Sequence, residues 1–328
     1  MSTTKLVTAA IALCGLVSHT GSLAQAYPAK PARLIIAAAP GGTTDVLGRL
    51  LGMRLSDRLG QPFLVENRGG GGGSLAADAV SKAPADGYTL LMTNDQLVVQ
   101  ASAVSSGSSA KLTYDPLKDF APIGIMGRGP VVLGVHPSVP ANSVTELVAL
   151  ARAQRGKLSF ASCGNGTVLH LAGELLNLAA GIDLAHIAYK GCSPAMLDAV
   201  SGQVPIFFTV LGNAAAFEKS GKVRLLGVAS QQRLANYPNL PTIAEAGFSG
   251  YNAFPWFGML APSGAPRDII AKLAAEVATT MAAPEVIERL RSMSLEPVTA
   301  GPEAFAEIMR EDLARWSRVV RDAKIRID

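Results

Sequence analysis

Three short runs of small and hydroxylated residues stand directly before helical patterns in this sequence, and each could hold an anion. The first is Pro40-Gly-Gly-Thr-Thr-Asp45. Its glycines let the backbone approach a ligand closely, and the N–H groups of a following helical turn favour negative charge. Thr43 and Thr44 add hydroxyl donors. Asp45 would repel a carboxylate, so it either caps the helix or meets an ammonium or hydroxyl group. The second run, Ser162-Cys-Gly-Asn-Gly-Thr167, offers Ser162, Gly164, Asn165 and Thr167, with His170 one turn into the next helix. The third is Tyr189-Lys-Gly-Cys-Ser-Pro194. There Lys190 could attract a carboxylate between Tyr189 and Gly191, and Pro194 suits a first helical turn. Taken singly, each run also reads as a plain turn, and a lone loop lysine as a solvated one. Three of them at equivalent places point to an anion-binding cleft.

Other chemistries find little support. The sequence has no G-x-x-x-x-G-K-[ST] and no G-x-S-x-G motif. Gly69 to Gly73 satisfies G-x-G-x-x-G only loosely, and reads better as a surface loop than as a dinucleotide site. No C-x-x-C or His/Cys cluster has metal-ligand spacing, so neither a metal nor another cofactor is expected. A hydrolase would have to use Cys163 or Ser162 with His170 and a carboxylate. Nothing in the spacing places such a base and its orienting acid, and an enzyme is not the expected reading.

The elements that position these runs alternate between strand and helix. Arg33 to Ala38, Phe63 to Glu66 and Tyr88 to Met92 read as strands. Between them lie helical stretches from Asp45 to Leu59 and from Ser74 to Lys82. That order implies a parallel sheet with helices on both faces. A second unit follows, with strands at 131–135, 158–161, 186–189, 205–208 and 223–228. Ser143-Val-Thr-Glu146 is a capping box opening one of its helices, and three further helices occupy the tail. Two such units without a long linker suggest two lobes and a cleft.

Length and composition agree. The chain has 328 residues, 49% hydrophobic and 16% charged, enough to bury a substantial core. A net charge of +4, without basic runs interleaved by aromatics, gives no reason to expect a nucleic-acid partner. Lys5, the apolar stretch Leu6 to Val17 and Ala24-Gln-Ala26 have the pattern of an export signal cleaved before Tyr27. That stretch is too short for a stable membrane anchor. Export would leave Cys163 and Cys192 in an oxidising compartment. Both follow the ends of consecutive strands of one β-α-β unit, which predicts neighbouring loops and a disulfide. The other reading is two small buried residues that happen to be cysteine.

At these loops the sequence closely resembles the Bug-type periplasmic receptors of tripartite tricarboxylate transporters. The resembling segments include Pro40-Gly-Gly-Thr-Thr-Asp45, Val65-Glu-Asn-Arg68, Asp86-Gly-Tyr-Thr-Leu90 and Tyr114-Asp-Pro-Leu-Lys-Asp-Phe120. Later come Gly164-Asn-Gly-Thr167, Tyr189-Lys-Gly191, Leu240-Pro-Thr-Ile-Ala-Glu-Ala-Gly247 and Trp256-Phe-Gly258. The resemblance implies an α/β, two-lobed type II periplasmic-binding-protein fold, each lobe a mostly parallel sheet flanked by helices. It implies no catalysis, no cofactor and one small carboxylated ligand. Its partners would be inner-membrane transporter subunits, or alternatively a membrane sensor kinase. A monomer is expected, with a signal peptide at 1–26, lobe 1 at 27–127 and 251–328, and lobe 2 at 128–250. The family's binding loops carry over onto Thr43, Thr44, Asp45, Gly164, Asn165, Thr167, Tyr189, Lys190 and Gly191. Two places depart from the family pattern. Thr93-Asn94-Asp95-Gln96 replaces a Gly-Thr or Gly-Ser loop, which puts Asn94 in the expected ligand set and a new acid beside it. Pro205 and Thr209 stand where two aspartates are usual.

Overall fold

A computed structural model describes residues 27–105 and 112–325; the expected export signal, 1–26, lies outside the described residues. Strand β1 (Ala32–Ile36) leads into helix α1 (Thr43–Leu59), β2 (Phe63–Asn67), α2 (Ser74–Ser81), β3 (Thr89–Asn94) and α3 (Gln96–Ser105). Strand β4 (Phe120–Arg128) completes this part. The second unit holds β5 (Val131–Val135), α4 (Val144–Ala153), β6 (Ser159–Ser162), α5 (Val168–Ala180) and β7 (Ala185–Ala188). It continues with α6 (Cys192–Ser201), β8 (Ile206–Val210), α7 (Leu211–Lys219) and β9 (Arg224–Val228). The chain then returns through β10 (Trp256–Pro262) to α8 (Arg267–Ala282), α9 (Pro284–Ser292) and α10 (Pro302–Asp322).

These strands form two five-stranded sheets among the described residues, ordered β2-β1-β3-β10-β4 and β7-β6-β8-β5-β9. The two-lobed α/β architecture is the expected one, and in each sheet four of the five strands run the same way, with one antiparallel strand among them. In the first, β1 pairs in parallel with β2 and β3, whereas β10 is antiparallel to β3 and β4. In the second, β6 is parallel to β7 and β8, whereas β5 is antiparallel to β8 and β9. The antiparallel pairs arise where the chain changes sheets. In each sheet the strand that enters from a crossing, β5 or β10, runs opposite to both of its neighbours.

Packing explains why these segments take these forms. β1 and β5 are made almost entirely of buried aliphatic residues because helices cover both faces of each sheet. Leu47, Leu51 and Leu55, four residues apart on α1, are fully buried against the first sheet. In the second lobe α5 lies very close to its sheet. A Cβ at Gly173 would come within 2.2 Å of the Phe160 ring, so only glycine permits that approach. Two crossings join the lobes, one between Arg128 and Val131 and the other between Val228 and Trp256. They run side by side: Gly129 N–H donates to the Pro255 carbonyl at 3.0 Å, and Ala253 N–H to the Ala229 carbonyl at 2.8 Å. Helix α10 packs against both α3 and α5, so it touches each lobe.

Candidate functional site

Between the sheets lies a cavity of about 700 Å³ whose wall comes from both lobes and the returning crossing. The first lobe contributes Gly71, Gly72 and Ser74, then Asn94, Asp95, Gln96 and Gln100, and finally Leu112. The second contributes Cys163, Asn165, Thr167, Val168, Leu169, Cys192 and Val210. Pro255 and Phe257 come from the crossing. Many of these residues stand at helix starts. Ser74 opens α2, Gln96 opens α3, Thr167 caps α5, Cys192 opens α6, and Val210 is the N-cap of α7. The first-turn N–H groups of a helix have no intrahelical acceptor, and the aligned peptide dipoles give that end a partial positive charge. Five such ends converge on one cavity. Among the described residues no Lys, Arg or His lines it, so backbone and amide groups would hold an anion here.

The three loops chosen from sequence divide between the wall and its supports. Asn165 and Thr167 are in the wall. Thr167 caps α5 by accepting from His170 N–H at 3.3 Å, and its hydroxyl donates to the Gly164 carbonyl at 2.8 Å. Asn94 is also in the wall; its Oδ1 accepts from Gln96 N–H at 3.1 Å. Its Nδ2 lies 3.4 Å from Thr44 Oγ1. That contact ties the first loop to the cavity, although Thr43, Thr44 and Asp45 are not in its wall. Gly42, not Asp45, is the N-cap residue of α1, without a side-chain cap. Asp45 is buried and reaches back to accept from Gly41 N–H at 2.8 Å, and also from Arg49 and Asn67. Burial pushes its pKa up, but these three donors outweigh that and hold the carboxyl below its ordinary range.

Ser162 and His170, expected as ligand contacts, lie outside the cavity wall. Ser162 is fully buried with Oγ 2.7 Å from His186 Nε2, and His170 Nδ1 accepts from Gly166 N–H at 3.2 Å. The two imidazoles stack with centroids 3.7 Å apart. Burial, and then His170, pushes the His186 pKa down to about 3, so the imidazole stays neutral. Gly164, Tyr189, Lys190 and Gly191 also lie outside the cavity wall. The Tyr189 hydroxyl donates to Asp198 Oδ2 at 2.5 Å, and burial together with that carboxylate raises its pKa to about 12. Gly191 N–H donates to the Cys163 carbonyl at 3.1 Å, joining the second and third loops. Lys190 is exposed. Cys163 and Cys192 form a disulfide with Cα atoms 4.3 Å apart, as the parallel β6–β7 pairing led one to expect. The bonded sulfur leaves Cys163 without a thiol nucleophile.

Several wall residues were not singled out from sequence. Gln96 and Gln100 are four apart on α3, so both amides share the face toward the cavity, a spacing that could have marked them. The glycine run, expected as a surface loop, forms a tight turn at Gly71–Gly73 whose backbone borders the cavity. Of the two other positions departing from the family pattern, Pro205 stands just before β8, and Thr209 within it is buried and accepts from Asn213 Nδ2 at 3.2 Å.

Asp95 is the one acidic residue in the wall, and its carboxyl is buried toward the crossings. It faces Asp312, Arg315 and Arg128. Asp312 accepts from Trp256 Nε1 at 3.0 Å and pairs with Arg315. Burial first, then Asp312, pushes the Asp95 pKa up to about 8, against its own N–H and the two arginines. Burial likewise raises Asp312 and lowers Arg128. Among the described residues, Asp95 Oδ2, Arg128 Nε and Arg315 Nε lack hydrogen-bond partners.

Two α/β lobes, doubly connected and meeting at one cavity ringed by helix N-termini, define a solute-binding protein. The chain belongs to the TctC family, the tripartite tricarboxylate transporter family receptors, whose profile matches residues 47–325. It is 33% identical to BugT of Bordetella pertussis over 96% of this chain and 98% of that one. A TctC solute-binding protein from Polaromonas superposes with a TM-score of 0.81 at 27% identity, covering 90% of this chain and 99% of the other. A protein from R. palustris solved with adipate has a TM-score of 0.75 and 33% identity, over 92% and 99% of the two chains. No helix among the described residues is long and apolar enough to cross a membrane.

Proposed function

We infer that the protein captures one small carboxylate in the periplasm and delivers it to the membrane subunits of a tripartite tricarboxylate-type transporter. The observation that carries this reading is the convergence of five helix N-termini, from both lobes, on one cavity. A desolvated carboxylate is well matched by such N–H groups. The adipate bound by the R. palustris relative supports the same ligand class. In this reading Asn94, Asn165 and Thr167, joined by Gln96 and Gln100, make the side-chain contacts. The mature chain begins at Tyr27 and acts as a monomer. Lobe 1 spans 27–127 and 251–328, and lobe 2 spans 128–250. The lobes close about the paired crossings, and ligand binding stabilises the closed state. No bond in the ligand is broken. Titration calorimetry with a panel of mono- and dicarboxylates of four to eight carbons tests this. At least one should bind one-to-one and be recovered unchanged after denaturing the protein; no saturable binding, or a converted ligand, contradicts the reading.

A further inference from the structure

The cavity wall has two distinct chemistries. Helix starts and amides make one part of it. Leu112, Val168, Leu169, Val210, Pro255 and Phe257 make the other, drawn from both lobes and from the crossing, and the Cys163–Cys192 disulfide extends it. Closure would therefore press apolar side chains onto the ligand from three directions. A short diacid would leave that surface without an apolar partner. A second carboxylate placed against this aliphatic part of the wall would lose water without gaining a hydrogen-bonding partner, a cost that an apolar body avoids. The volume of about 700 Å³ lies within the roughly 300–1,000 Å³ of small-molecule sites and leaves room for an apolar body beside the carboxylate.

Building on the carboxylate-receptor reading, we propose that the preferred ligand is a monocarboxylate carrying an apolar body of ring or branched-chain size, rather than a short dicarboxylate. The carboxylate sits at the helix N-termini and the body against Val168, Leu169, Val210 and Phe257. Each buried methylene multiplies affinity roughly fourfold, so even part of a ring outweighs what a compact diacid gains.

Calorimetry on the mature protein at pH 7 with benzoate, cyclohexanecarboxylate, succinate and benzamide tests the proposal. Benzoate and cyclohexanecarboxylate should each bind at least tenfold more tightly than succinate. Benzamide, with the same body and no charge, should bind at least tenfold more weakly than benzoate. Val210→Ala removes two methyl groups and adds no group that competes for the α7 N–H donors. It should weaken benzoate at least threefold more than it weakens succinate. Succinate binding as tightly as benzoate overturns the proposal while leaving the carboxylate reading intact. Benzamide matching benzoate overturns the carboxylate reading itself, and no binding by any of the acids counts against both. Should Val210→Ala fail to fold, the comparison of ligands on the unaltered protein decides alone.

Discussion

Gln100 reaches the cavity only because the turn opposite it is glycine. A Cβ at Gly72, which has φ +62°, would lie 2.2 Å from Gln100 Nε2. Gly72→Ala should therefore displace the amide from the wall, at a backbone cost of about 1–2 kcal/mol for the left-handed conformation. Carboxylate affinity should fall several-fold by calorimetry; unchanged affinity would show that Gln100 does not touch the ligand. Thr167 links fold and site differently, because its hydroxyl caps α5 and its residue lines the cavity. Thr167→Ala should lower unfolding free energy by about 1 kcal/mol in urea and also weaken binding, whereas a cap without a ligand role predicts only the first effect. At this scale the sequence identified the Asn165 and Thr167 loop from its small residues before a helical stripe. The surroundings of Ser162 and His170 were not legible in it, because no local pattern tells that a histidine at 186 on the adjacent strand will take the Ser162 hydroxyl and stack on His170.

Helix α3 and strands β4 and β10 illustrate what the element patterns could not convey. The run Gln-Leu-Val-Val-Gln-Ala-Ser-Ala-Val-Ser of α3 is apolar nearly all round, since it is wedged among the first sheet, α2 and α10, and so shows little amphipathic stripe. Pro122 and the glycines at 124 and 127 interrupt β4 where its ladder with β10 shifts register. The helices and strands of the β-α-β units were recognisable because each alternates cleanly with its neighbours.

The elements also carry two opposite pH effects. The folded chain holds the Asp95 proton up to about 8, whereas its ordinary value is 3.8. Between those values the folded state binds more protons than the unfolded one, so this group makes stability fall as pH rises from about 4 to about 8. His186 is pushed down to about 3 from 6.5, so the unfolded chain takes up its proton first and stability falls as pH drops through that window. Asp95→Asn should flatten the decline on the alkaline side, measured as urea midpoints at pH 5 and pH 8. An unchanged difference between those midpoints would mean that the arginines of the cluster keep the carboxylate ionised.

At the scale of the whole molecule, the disulfide and the paired crossings set what can move. The Cys163–Cys192 bond joins the α5 and α6 starts, fixing two of the five N-termini relative to each other. Replacing both cysteines by serine opens a loop of 29 residues and should cost roughly 3 kcal/mol of stability. Denaturant midpoints of the oxidised and doubly substituted proteins check this. The account's central claim is that a carboxylate is held by helix N-termini from both lobes at once. Hydrogen–deuterium exchange, with and without the tightest-binding carboxylate of the panel at saturation, tests that claim most directly. It should show slowed exchange in the first turns of α3, α5, α6 and α7 together. Protection confined to one lobe, or protection elsewhere with these turns unchanged, would contradict it.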